Sequence, residues 1–174
     1  TGSAGTITEN DINTNAYVVN KPNFVFTTPT TQSNSVINQN YTRTFTISNG
    51  AAGCANAVYF SIDYPGNGIQ FVGLTLAGNP ITPTSIVGST YYFTVSGSTL
   101  TTDGLLCNGE ALTFTETYKV KVCNAVTNYS AGWGCASAPA SWCQTVTGSG
   151  SVTMATGTPN FTAFTAARSG FVDS

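Results

Sequence analysis

The stretch Tyr41–Ser48, "YTRTFTIS", decides how the rest of the chain is read. Tyr41, Arg43, Phe45 and Ile47 fall on one side of an extended backbone, and Thr42, Thr44, Thr46 and Ser48 on the other. A period of two with threonine as filler describes a half-buried strand. Working outward, Val58–Tyr64 ("VYFSIDY") sets Val58, Phe60 and Ile62 on one face, then meets Pro65-Gly66-Asn67-Gly68, a turn signal. Ile69–Ala77, Tyr91–Ser96, Ala111–Cys123, Tyr129–Cys135 and Gln144–Met154 continue the series. No apolar period of 3.6 persists over three turns, and the density of threonine and glycine disfavours helix. About seven or eight short strands with frequent turns predict an all-β fold, an antiparallel β-sandwich of Ig-like architecture. Alternation places Phe45, Ile47, Val58, Phe60, Ile62, Phe71, Phe93, Val95, Phe114, Tyr118 and Val120 inward.

Composition narrows the function. The 174 residues suffice for one domain with a real core, and 41% of them are hydrophobic, enough to fold. Charged residues make up 7%, the net charge is -2 and histidine is absent. The chain therefore lacks the basic surface that a phosphate backbone requires, and nucleic acid is not an expected partner. A Ser-His-Asp or Cys-His arrangement is impossible without histidine. No run approaches the roughly 20 apolar residues of a membrane span, so membrane insertion is not expected. Nor does a signal peptide open the chain.

The acids are Glu9, Asp11, Asp63, Asp103, Glu110, Glu116 and Asp173. Glu110 and Glu116 share a face of one strand, but about 20 Å separates them, too far for a glycosidase pair. Solvated or strand-end positions are expected for all these carboxylates, and the chain is expected not to be an enzyme. Asp103-Gly104 and Asp11 offer oxygen ligands for calcium, yet no dense acidic loop accompanies them. No metal and no cofactor is expected.

The two ends of the chain echo one another. Lys21–Thr28 ("KPNFVFTT") is matched by Thr158–Thr165 ("TPNFTAFT"), and a Thr-Gly-Ser stretch precedes each, at Thr1 and at Thr147. The simplest account makes residues 1–20 the last strand or linker of a preceding unit, residues 21–155 one complete sandwich, and residues 156–174 a linker or the first strand of the next unit. The chain is then a window on a tandem array. Chance matching in a Thr-, Gly- and Asn-rich chain is the bland alternative, and the shared order of two motifs argues against it.

Five cysteines without histidine or a CxxC spacing point to disulfides rather than zinc, and to an oxidising compartment. An up-and-down arrangement of strands puts Cys54 and Cys123 at one end of the sandwich, and Cys107, Cys135 and Cys143 at the other. The expected bridges are Cys54 with Cys123, and Cys135 with Cys143. Cys107 is then the residue left over, free to pair with a neighbouring module or to replace one of these partners.

Trp133 and Trp142 flank the Cys135–Cys143 loop, and Tyr91-Tyr92 stand on another strand. Exposed, coplanar rings among Asn and Thr would suit a sugar face, which makes a carbohydrate-binding module the alternative function. Against it, Trp133 has the sequence position of a tryptophan packed in a sandwich core. Sequons begin at Asn40, Asn128 and Asn160.

The segments Tyr41–Gly50 ("YTRTFTISNG"), Leu106–Cys123 ("LCNGEALTFTETYKVKVC") and Asn128–Thr145 ("NYSAGWGCASAPASWCQT") together resemble the repeated Ig-like β-modules of very large cell-surface proteins and gliding-type adhesins of Bacteroidetes. The resemblance covers residues 24–164 and lies in strand texture and cysteine placement. It implies a secreted, non-enzymatic module on a bacterial cell surface, working as a spacer, adhesive segment or filament subunit. With the duplicated ends, the expected partners are neighbouring repeats or copies of the same chain, and the exposed aromatics make surface glycans the second candidate. It carries over no catalytic residue. Five cysteines and a long first segment depart from a plain stalk repeat.

Overall fold

The computed structural model describes residues 20–33, 36–134 and 139–153. Seven long strands carry the fold: β3 (Asn40–Asn49), β4 (Ala57–Asp63), β5 (Ile69–Leu76), β8 (Thr90–Ser96), β9 (Ala111–Val120), β10 (Asn124–Gly134) and β11 (Trp142–Thr153). Four short ones complete it: β1 (Phe24–Thr27), β2 (Gln32–Ser33), β6 (Asn79–Pro80) and β7 (Ser85–Val87). They form a sandwich of a five-stranded sheet, β1-β3-β9-β5-β6, and a six-stranded sheet, β2-β11-β10-β4-β8-β7. Every pairing between these strands is antiparallel except β2 with β11.

The alternation of Tyr41–Ser48 is realised as expected, with Arg43, Phe45 and Ile47 buried. Phe45 sits near the centre of the core. Its ring lies 5.0 Å from Phe114 on the neighbouring strand, and 5.9 Å from Phe60 and 5.0 Å from Tyr129 on the opposite sheet. Such aromatic pairs add about 0.5–1.5 kcal/mol each beyond the area they bury. Of the residues expected inward, ten are fully buried, and Phe71 packs half-buried at the rim of the core. The strand expected over Ala111–Cys123 ends at Val120, because residues 121–123 turn the chain from the five-stranded sheet into β10 of the other.

The first Pro-Asn-Phe copy forms the strand that closes one side of the sandwich. Phe24 is buried, Phe26 stacks 5.4 Å from Phe45, and β1 pairs with the end of β3. Gln144 on β11 faces β1 and imitates a strand with its side-chain amide. Its Oε1 accepts the Phe24 backbone N–H at 2.8 Å, and its Nε2 donates to the Asn23 Oδ1 at 2.7 Å and the Phe24 carbonyl at 3.3 Å. The second copy, at Pro159, lies outside the described residues, as do residues 1–19.

Candidate functional site

Two clusters of polar and aromatic side chains stand out, one between the sheets and one on an outer face. The inner cluster grows from the register of β3 and β9, which sets Arg43 directly opposite Glu116. Both point into the sandwich and both side chains are buried. Arg43 grips the carboxylate with two nitrogens, Nε to Oε2 at 3.0 Å and Nη2 to Oε1 at 2.8 Å. The opposite sheet supplies the remaining partners. Tyr64 donates its hydroxyl to Oε1 at 2.8 Å, Tyr129 donates to Oε2, and Arg43 Nη2 also donates to the Thr127 hydroxyl. The guanidinium lies 4.4 Å from the centre of the Tyr118 ring. Its Nη1 faces Gly150, where a Cβ would approach within 3.0 Å.

A charged pair removed from water persists when hydrogen bonds and geometry compensate desolvation. Here four donors converge on one carboxylate from both sheets, so the cluster acts as a clasp between them. Burial by itself would lower the Arg43 pKa, but hydrogen bonding and charge from Glu116 outweigh it and the net direction is upward. Burial, and then the adjacent Glu116 charge, push the phenols of Tyr64 and Tyr129 well above the ordinary tyrosine range. The expectation of solvated or strand-end carboxylates therefore fails at Glu116. It shares strand parity with Phe114, Tyr118 and Val120, and that pattern already marked its position as inward. Among the other acids, Asp63 accepts from the Ser89 and Thr90 hydroxyls, and exposed Asp103 is held below the usual carboxylate range by the Thr101 hydroxyl and the Leu105 N–H. No group of three or more metal-ligating side chains occurs among the described residues.

The disulfide joins Cys54 to Cys107, with 4.2 Å between their Cα atoms, and corrects the expected Cys54–Cys123 bridge. The reason is the antiparallel register of β3 and β9, in which Ser48 lies opposite Ala111. The loop leaving β3 and the loop entering β9 thus share one end of the sandwich, where Ala55 also bridges to Leu106. Cys123 follows the far end of β9, exposed and free, and Cys107, expected to be left over, is bridged instead. Cys143 is exposed with a free thiol, and Cys135, expected to pair with it, lies outside the described residues.

The four aromatics expected at a ligand site divide between inside and outside. Tyr91 turns inward, 4.6 Å from Phe71 and 5.7 Å from Tyr64. Trp133 also turns inward, packing half-buried against the core while its Nε1 donates to Gln144 Oε1 at 3.0 Å. Tyr92 faces outward from the six-stranded sheet, opposite Ser61 of β4. Trp142 reaches the same outer face through an irregularity of register. Trp133 pairs with Gln144, but Gly134 pairs with Trp142, so Cys143 is an extra residue in β11. Such a bulge re-aims the side chain that follows it along the ladder. The Trp142 ring then lies across Gly132, where a Cβ would fall 2.6 Å from its Cε3. Beside it stands Tyr59, the cross-strand neighbour of Gly132, with ring centres 6.5 Å apart and planes within 15°. An open cleft of about 640 Å³ is lined by Tyr59, Thr94, Ser96, Asn56 and Trp133 among others.

This arrangement defines the chain as an Ig-like β-sandwich with one ring-bearing outer face. A cohesin module from a family 33 glycoside hydrolase of Clostridium perfringens superposes with a TM-score of 0.51 at 6% identity, over 77% of this chain and 98% of that one. The full-length major pilin SpaD of Corynebacterium diphtheriae gives 0.49 at 11% identity, over 73% of this chain and 34% of the pilin. The seventh ScaB type I cohesin of Pseudobacteroides cellulosolvens gives 0.47 at 13% identity, over 76% and 94%. The first of these likenesses is one of fold alone. No family model matches the chain, and no curated protein sequence matches it. Among the described residues no helix is long and apolar enough to cross a membrane.

Proposed function

We propose that the chain is a non-enzymatic module of an extracellular bacterial surface protein, one unit of a tandem array used as stalk, adhesive segment or filament. The observation that carries this reading is the place of Pro22-Asn23-Phe24 in the fold. These residues open β1, which buries Phe24 and is clamped by Gln144. The same tripeptide returns at Pro159, 159 - 22 = 137 residues later and soon after β11 ends at Thr153. Its return supports a following unit that opens with its own β1, so that residues 21–155 are one repeat and residues 156–174 lead into the next. The Cys54–Cys107 bridge supports an oxidising compartment. Commitment of Glu116 to the clasp, where Arg43 and two tyrosines occupy its oxygens, supports a structural rather than a catalytic role for the most buried acid. The likeness of strand texture to Bacteroidetes surface modules supports neighbouring repeats as partners.

The test compares the whole chain with residues 21–155 alone, by light scattering and thermal unfolding. A short form that is folded, monomeric and equally stable is the expected result. A short form that unfolds while the whole chain remains stable overturns the repeat reading, because the removed ends would then belong to this unit's own core.

A further inference from the structure

We infer that the pole of the sandwich from which the chain leaves is a docking surface for the following repeat, whose entry pole seats on an apolar groove around Val122 and Val126. The inference rests on the tandem reading and adds a fixed junction to it. β1 begins at Phe24 opposite Asn49, at the pole that holds the Cys54–Cys107 bridge, and β11 ends at Thr153 opposite Asn124, at the other pole. The chain thus enters at one end of the unit and leaves at the opposite one, the path that strings units end to end. The second Pro-Asn-Phe begins 159 - 153 = 6 residues beyond Thr153. Six residues reach at most about 20 Å, so a unit that opens there has its entry pole close to this exit pole.

The exit pole carries the apolar surface that such a contact needs. On β10, parity turns Asn124, Val126, Asn128 and Ser130 outward, and Val126, 46% exposed, is the apolar one among them. Val122 stands in the turn between β9 and β10, 42% exposed. That turn is held in place, since the Lys121 N–H donates to the Gly68 carbonyl and the Asn38 N–H to the Val120 carbonyl, each at 2.8 Å. Gly68 permits the approach, because a Cβ there would fall 2.8 Å from Val122 Cγ2 and 2.9 Å from Ala125 Cβ. Between the Pro65–Gly68 turn, these valines and the end of β11 lies an open groove of about 520 Å³. The turn before β3 adds exposed Val36 and Ile37 to the same pole. Clustered exposed aliphatic side chains mark interaction surfaces, and a surface already fixed loses little freedom on binding. The entry pole offers apolar surface in return, where Pro22, Ala55 and Leu105 line the cleft beside Cys54. Charge points the same way. Outside the clasp, the described charges gather at the two poles, Lys119 and Lys121 with Asp63 at the exit, and Asp103 and Glu110 with Lys21 at the entry. The exit pole is net positive and the entry pole net negative, which favours head-to-tail contact over contact between like poles.

A chain of two periods, residues 1–158 followed directly by residues 22–174, tests the junction. Cys123, exposed between Val122 and Asn124, is the reporter. Cys123→Ser in one unit at a time leaves a single Cys123, whose alkylation by iodoacetamide is followed by peptide mapping. Cys123 of the first unit, at the junction, should react about tenfold or more slowly than Cys123 of the second, because docking covers it. Val122→Ser with Val126→Asp in the first unit should restore the fast rate. Equal fast rates in the two units, each with its Cys54–Cys107 bridge formed, overturn the docking and leave the repeat reading standing. Slow reaction in both units puts the chain's own last residues over the groove, and slow reaction that survives the substitutions puts the contact elsewhere; either result overturns the docking as well. Recovery of half the Cys54 and Cys107 unbridged means that the second period does not fold as a unit, and overturns the repeat reading together with the docking.

Discussion

Tyrosines stand both in the clasp inside the sandwich and beside Trp142 on its outer face, yet they do different things in the two places. Inside, Tyr64 and Tyr129 spend their hydroxyls on the Glu116 carboxylate, and Tyr118 lends its face to Arg43. The hydroxyls of Tyr64 and Tyr129 thereby tie one face of the sandwich to Glu116 of the other sheet. Outside, the Tyr59 ring stacks with the Trp142 ring, which fills the space over Gly132. The comparison teaches that residue type does not assign role here. Strand parity sends a ring inward to a buried polar cluster or outward to the far side of the sheet, and one extra residue in β11 changes which.

The sharpest way to break the comparison is at the clasp. Glu116→Ala should cost about 3–5 kcal/mol, because it leaves the Arg43 charge buried and unpaired. The urea midpoint should fall with little change in slope. Replacing both partners, Arg43→Met with Glu116→Leu, should cost less than either single change. A near-neutral Glu116→Ala would mean that water reaches the cluster. Phe60→Ala, which opens a cavity in the adjacent aromatic core, should cost a similar 3–5 kcal/mol without any such rescue.

Next in size is the covalent tie. Cys54 and Cys107 close a sequence separation of 53 residues, and removing the bridge with Cys54→Ser and Cys107→Ser should cost about 4 kcal/mol on chain-entropy grounds. Cys123→Ser, at an exposed thiol, should change the midpoint by less than about 0.5 kcal/mol. Peptide mapping under non-reducing conditions should recover Cys54 joined to Cys107. Recovery of Cys54 joined to Cys123 would contradict the β3–β9 register.

A smaller effect, graded by pH, separates the inner tyrosines from the outer ones. Below the ordinary phenol pKa of about 10, folded and unfolded chains both keep these protons and the contribution of Tyr64 and Tyr129 is complete. Above it the unfolded chain ionises while the buried phenols, whose pKa values are raised, do not. The folded state then binds more protons, so stability falls as pH rises, by about 1.4 kcal/mol per pH unit for each phenol. Urea midpoints between pH 9 and 11 should show this loss, and Tyr64→Phe with Tyr129→Phe should flatten it. Smaller again, Trp142→Ala should cost about 1 kcal/mol, since the half-buried ring packs over Gly132 and stacks with Tyr59. A loss as large as that of Phe60→Ala would make this ring part of the core.

The sequence by itself determined the class of fold, the long strands and the face each one buries. Alternation in "YTRTFTIS" and "VYFSIDY" is a local property, imposed by a backbone whose side chains change sides at every residue. The same parity already marked Arg43 and Glu116 as inward, although their chemistry argued for solvent. What only the tertiary structure decided was pairing across the chain. Arg43 meets Glu116, and Cys54 meets Cys107, because β3 and β9 lie side by side in one antiparallel register. An up-and-down tracing of strands cannot know which strands are neighbours, and it therefore sent Cys123 to the wrong end. The outward turn of Trp142 was hidden for a different reason. It follows from a bulge that exists only relative to β10, and a register shift is a relation between two strands that neither carries alone.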